Sequence, residues 1–180
     1  MSIEGRAATG RAIEVRDAEP AEYAAVGEIV AEAFFADGQL EAPDAVFYAD
    51  VLRDVASRAA AAEIIVALAD GVVVGGVTFV PHGGPMADIA RDGEAEIRML
   101  GVAPDAQGRG VGTALMRECL ARAARTRSAG GAGTLRVVLS TQTVAHGSHR
   151  LYERLGFVRE PARDWTPVPG VGLLCYVLEL

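Results

Sequence analysis

The residues whose types and spacing most directly suggest chemistry are Gln107-Gly108-Arg109-Gly110-Val111-Gly112, a glycine-studded turn between an apolar strand-like run and a helical pattern. Glycines leave backbone amides unshielded, and a helix that starts at the turn adds N–H groups without intrahelical partners and the positive end of its dipole. The expected ligand is a phosphate. Two familiar phosphate loops fail on spacing. A Walker loop needs Lys and then Ser or Thr after its last glycine, whereas Gly112 runs into Thr113-Ala114. A G-x-G-x-x-G fingerprint needs glycine at position 113 or 115, which hold Thr113 and Leu115. What remains is Q-x-x-G-x-G.

Other reactive side chains carry less. Cys119 and Cys175 lie within helical and strand-like patterns without metal-ligand spacing, which predicts buried thiols, no disulfide and a reducing compartment. Cys119 has no base placed near it to make it a nucleophile. His146 and His149, three apart, could share a helix face, but with no nearby cysteine or carboxylate set no metal site is expected. A net charge of -7 argues against a nucleic-acid partner, which calls for a basic face. Met1 to Gly10 is small and polar, reading as a flexible N-terminus with neither signal peptide nor membrane anchor, so a cytoplasmic protein is expected.

The elements that must position the glycine turn follow from periodicity. At 180 residues and 51% hydrophobic, the chain suits one domain over 11–180. Ile13 to Arg16 alternates as a strand does, and Ala21 to Ala36 reads as an amphipathic helix with Tyr23, Val26, Val30, Ala33 and Phe34 on one face. Asp37-Gly38 ends it. A second helix is expected from Pro43-Asp44, with a stripe of Phe47, Val51, Val55 and Ala59 flanked by Tyr48 and Leu52, and with Asp50, Arg53, Asp54 and Arg58 in solvent. Ile64–Leu68 and Val72–Val74 flank Asp70-Gly71, a strong hairpin signal, and Gly75-Gly76 marks a bulge or a close backbone approach. Met86 to Gly93 reads as a loop. Glu94 to Val102 is a strand with Ala95, Ile97 and Met99 on one parity and Glu96, Arg98 and Leu100 on the other. Val111, Leu115, Cys119 and Ala123 line a helix that Ser128 to Gly133 terminates; Leu135–Leu139 is a strand suited to parallel pairing. His146–Leu155 is a short helix stopped by Gly156, and a proline-rich tail with Trp165 leads to a last strand, Gly172–Leu180.

Two segments make the pattern specific. Ala95-Glu96-Ile97-Arg98-Met99-Leu100-Gly101-Val102-Ala103-Pro104, running into the glycine loop, resembles the central strand and coenzyme A pyrophosphate loop of the GNAT N-acetyltransferase superfamily. Leu151-Tyr152-Glu153-Arg154-Leu155-Gly156-Phe157 is similar to that family's L-Y-x-x-x-G-F signature. The order strand, helix, helix, three strands, helix, strand, helix, two strands matches as well. The resemblance implies an α/β (α+β) GNAT fold, a mixed central sheet of six to seven strands flanked by about four helices.

It also implies chemistry. The expected activity is transfer of the acetyl group of acetyl-CoA to a primary amine by direct attack in a ternary complex, without an acyl-enzyme and without a metal. By resemblance, Glu96 is the general base, with Glu94 as local alternative, and Tyr152 is the general acid beside the coenzyme sulfur. Backbone groups near Leu100 and Val102 would pair with the pantetheine arm, and the amides from Gly108 through Gly110 and Gly112 to Thr113 would hold the pyrophosphate, with Gln107 and Arg109 reaching over it. One departure stands out: family members often carry Asn seven residues before the tyrosine, where this chain has Ala145 beside His146. The acceptor, a small-molecule or peptide amine, is expected between the first two helices and the final loop, with Phe34, Phe35, Tyr48 and Trp165 as candidate walls. A non-catalytic acyl-CoA-binding module and a toxin-type acetyltransferase acting on aminoacyl-tRNA are the rival readings, and a homodimer is one assembly open to the chain.

Overall fold

Asp70 and Gly71, both at positive φ (53° and 76°), make the tight turn that pairs strands β2 (Glu63–Ala69) and β3 (Val72–Val80) antiparallel. In the computed structural model of the chain, residues 12–41, 47–128 and 134–180 are described; the N-terminal stretch, the expected start of the second helix at Pro43-Asp44 and the end of the long helix after Ser128 lie outside them. Strand β1 (Ile13–Asp17) pairs with β2, and β4 (Glu94–Val102) with β3. Strand β5 (Arg136–Gln142) joins β4 in parallel and β7 (Leu173–Glu179) antiparallel, with short β6 (Val158–Arg159) at the far edge. The result is a mixed seven-stranded sheet in the order β1-β2-β3-β4-β5-β7-β6.

Helices cover both faces. On one, α4 (Val111–Ser128) and α5 (His146–Arg154) bury Val111, Leu115, Met116, Cys119 and Tyr152 against Ile65, Phe79, Ile97 and Leu139. On the other, α1 (Tyr23–Ala36), α2 (Tyr48–Arg53) and α3 (Val55–Ala59) bury Val26, Val30, Leu52 and Val55 against Ile64, Val66 and Met99. Glycines set how closely α1 can lie on the sheet. A Cβ on Gly101 would come within 2.6 Å of the Val30 Cα, and one on Gly76 within 2.6 Å of a Val26 methyl. The Gly75-Gly76 pair is thus a close approach, with a register shift between Gly76 and Thr78 beside it.

Two expectations need correction. The single second helix is two short ones, because Asp54 leaves helical geometry (ψ 68°) and accepts the Ser57 N–H to cap α3. The break turns the apolar stripe: Phe47 is 75% exposed, while Leu52, Val55 and Arg58 are buried. Arg58, expected in solvent, is only 4% exposed; it donates to the Leu52 carbonyl, to Thr78 Oγ1 and to Met99 Sδ, and burial pushes its guanidinium pKa down to about 10. Second, β4 does not keep one parity. Met99 sits at φ 53°, a bulge that turns it onto the α1 face and leaves Leu100 and Val102 packing with Ala95 and Ile97 on the α4 face. With α2 and α3 counted separately, five α-helices lie among the described residues, in keeping with the expected about four.

Candidate active site

The bulge at Met99 is also where the sheet opens. The parallel ladder between β4 and β5 runs from Glu94–Arg136 to Ile97–Leu139 and stops there. Beyond it β5 continues with β7 to Gln142, and β4 continues with β3 to Val102. Leu100, Gly101 and Val102 therefore face a wedge between parted strands, with backbone groups on that side free of a β5 partner. Two cavities meet at the wedge, sharing Leu100 and Ser148 in their walls.

The first, about 450 Å³, is walled by Leu100 to Val102, by Gln107, Gly108, Gly110, Val111, Gly112 and Thr113, and across from them by Gly147, Ser148, Leu151 and Arg154. The glycine turn is an open one. Gly108 and Gly110 adopt φ 73° and 85°, where side chains are strained, and a Cβ on either would meet nothing within 4 Å. The ladder of α4 begins with the Ala114 N–H on the Gly110 carbonyl (2.9 Å), so the amides of Val111, Gly112 and Thr113 precede the first intrahelical bond and lie at the positive end of an 18-residue helix. This cradle suits an anion with two phosphates. Gln107 Nε2 reaches the Val102 carbonyl at 3.4 Å. Arg109, expected over the pyrophosphate, is exposed and does not line the cavity, whereas Arg154 does.

The second cavity, about 350 Å³, lies on the opposite side of the wedge, between α1, α2 and the segment before β7. Phe34, Tyr48 and Trp165 line it as expected, but Phe35 does not. Phe47, Val51, Asp88, Arg98 and Val168 complete much of its wall.

Tyr152 stands at the junction. It is buried, packs its ring against Phe157 and Tyr176, and lines the second cavity. Burial pushes its phenol pKa up to about 12, against a hydrogen bond with Ser148 that pulls it down. At neutral pH the hydroxyl keeps its proton and can donate it. Ala145, in the place of the usual asparagine, is buried at the start of α5 and makes no side-chain cap; Gly147 and Ser148 of the following turn reach the first cavity instead.

The two glutamates of β4 are committed elsewhere. Glu96, 1% exposed, accepts the backbone N–H groups of Asp88, Ile89 and Ala90 on one oxygen (2.9, 2.9 and 3.0 Å), and its other oxygen lies 3.8 Å from Arg98 Nε. Burial pushes its carboxyl up, with the amides of Ile89 and Ala90 and the Arg98 charge pulling the other way. It does not line the second cavity; among the described residues the carboxylate that does is Asp88, which is ion-paired with Arg98. Glu94 takes both guanidinium nitrogens of buried Arg163 (2.9 and 2.8 Å) and the Arg91 N–H. Arg163 also donates to the Ile89 carbonyl at 2.6 Å. Glu96 and Arg163 therefore clamp the loop that presents Asp88 from two sides. Neither clamp was foreseen, because each depends on a contact across the fold between residues whose sequence context is ordinary.

No group of His, Cys, Asp and Glu among the described residues could hold a metal ion. His149 instead shares a hydrogen bond between its Nε2 and the Gln142 carbonyl (2.9 Å) and stacks on Tyr176.

The model of the Acetyltransferase (GNAT) family matches residues 23–157, and the chain belongs to that family. Among solved structures, it is similar to the PaiA N-acetyltransferase from Thermoplasma acidophilum in complex with coenzyme A (14% identity, 94% of this chain and 99% of that one, TM-score 0.69). It is likewise similar to an acetyltransferase from Streptococcus agalactiae (20%, 96% and 99%, 0.68) and to the ribosomal-protein-alanine N-acetyltransferase from Brucella melitensis (19%, 93% and 99%, 0.61). At these identities the likeness is one of fold. No curated protein sequence matches the chain significantly.

Proposed function

We propose that the protein is an acetyl-CoA-dependent N-acetyltransferase that joins donor and amine in a ternary complex at the β4–β5 wedge. The observation that carries this reading is the meeting of a phosphate cradle and an amine-sized cavity at Leu100 and Ser148, with Tyr152 beside the junction. The amides from Gly108 to Thr113 hold the pyrophosphate, helped by the α4 dipole and the Arg154 charge. The unpaired edge of Leu100 to Val102 takes the pantetheine arm as an added strand would, and an N–H on that edge polarises the thioester carbonyl.

In the transfer, the neutral amine forms a bond from nitrogen to the carbonyl carbon, the carbon–sulfur bond breaks, the departing sulfur takes the Tyr152 proton, and the surplus proton left on the acylated nitrogen restores the Tyr152 phenol. The proton shed by the ammonium group passes to Asp88, the carboxylate on the cavity wall. Glu96 then acts as the anchor of the Asp88 loop in place of the base, direct or through water, expected from its position, since one of its oxygens is saturated by three N–H groups.

The test is thiol release from acetyl-CoA across a panel of amines, run beside calorimetry of acetyl-CoA binding. Amine-dependent release with a matching N-acetyl product supports the reading. Tight binding with no turnover on any amine would instead make the chain an acyl-CoA-binding module.

A further inference from the structure

The acceptor-side cavity has an unusual charge balance for a site that must receive a cation. Among its described wall residues the charged side chains are Asp88 and Arg98, and they pair with each other. Arg98 is further held by the Met86 carbonyl. The rest of the wall is mixed: Phe34 and Tyr48 form a tilted ring pair 6.1 Å apart that Val51, Trp165 and Val168 continue, and Gln39, Ser140, Thr141, Gln142 and Ser148 supply uncharged polar groups.

We propose that the acceptor is a compact monoamine with an apolar body, an alkylamine or arylalkylamine. This rests on the acetyltransferase reading above and names its substrate class. Asp88 is one carboxylate, already sharing its charge with Arg98, so it can serve one ammonium group. A second or third cationic centre, as in a polyamine or an aminoglycoside, would be desolvated against Phe34 or Val168 with no counter-charge among the described wall residues. The cavity of about 350 Å³ is within the range of small-molecule sites.

The experiment measures kcat/KM with acetyl-CoA for the n-alkylamines from propylamine to hexylamine, which share one basicity, and for 2-phenylethylamine, spermidine, kanamycin and a peptide with a free N-terminal alanine. Each added methylene is expected to raise kcat/KM about fourfold, the equivalent of about 0.8 kcal/mol, until the cavity is full. Phenylethylamine should exceed spermidine by about 50-fold, the order set by desolvating a surplus charge. A flat alkyl series, or spermidine, kanamycin or the peptide ahead of phenylethylamine, overturns the inference and leaves the transferase reading standing. Acetyl-CoA binding without turnover of any amine overturns both. A variant adds an independent arm. Val51 lines the cavity at 45% exposure, so Val51→Asp places a carboxylate in the wall with little demand on folding. It should shift the ratio of 1,5-diaminopentane to pentylamine about tenfold towards the diamine, as expected for one new close charge pair. An unchanged ratio in a folded variant contradicts the proposal.

Discussion

Arg163→Met tests whether the loop that presents Asp88 is held by a buried ion pair. In the native chain Arg163 and Glu94 have side chains only 5% and 4% exposed, joined by two hydrogen bonds of 2.9 and 2.8 Å. Methionine matches much of the volume but leaves Glu94 with the Arg91 N–H and with Arg136, 3.8 Å away and 45% exposed. Removing one partner of such a pair costs about 3–5 kcal/mol, and at this chain length about 2–4 °C of Tm is lost per kcal/mol. The expected fall is thus about 6–20 °C. The pH dependence should also change sign. Burial alone pushes the Glu94 carboxyl up, but the hydrogen bonds of Arg163 and Arg91 and the charges of Arg163 and Arg136 together hold it below its ordinary value. That native contribution is complete above the unfolded pKa of about 4.3 and is lost as the pH falls through the lower folded value. In Arg163→Met, burial without its partner raises the folded value. The penalty is then present at neutral pH and is relieved as the pH falls towards 4.3. Thermal unfolding by circular dichroism between neutral pH and about pH 3 reads both effects. A loss under about 1 kcal/mol with a native pH slope would refute the reasoning.

Further substitutions address the other parts of the site. Tyr152→Phe should lower kcat by about 10²-fold or more with acetyl-CoA affinity nearly unchanged; an unchanged kcat removes the general acid. Gly110→Ala, at φ 85°, should weaken acetyl-CoA binding about tenfold by calorimetry through a strained cradle, and native affinity would place the pyrophosphate elsewhere. Glu96→Gln keeps an acceptor oxygen for the three amides but loses the charge, so a Tm lower by roughly 2–8 °C with an intact pH–rate profile is expected. A native Tm with a hundredfold slower rate and a lost acidic limb would restore Glu96 as the base. Asp88→Asn should lower kcat/KM for amines at neutral pH with less effect at high pH, and a uniform loss at every pH would leave Asp88 a purely steric role.

What the sequence made legible was local. The Asp70-Gly71 hairpin, the glycine turn at 107–112, the Gly156 cap at φ 92° and the L-Y-x-x-x-G-F segment each depend on conformations that few residues tolerate, so their types declare them. Long-range partners leave no such mark. Arg58 sits in a polar run that reads as a solvent face, yet it is buried because Asp54 breaks the helix and turns it towards Met99. The parity of β4 failed at Met99 because a bulge adds a residue without changing composition. Glu96 reads as a base by position alone, and only the folded loop reveals three amides on its oxygen.

The central claim is direct transfer between two ligands held at the β4–β5 wedge, and initial rates over a matrix of acetyl-CoA and amine concentrations, with the product identified by mass, test it most directly. Intersecting reciprocal plots with one N-acetyl amine formed per thiol released are predicted. Parallel plots, or thiol release without N-acetyl product, would contradict the account.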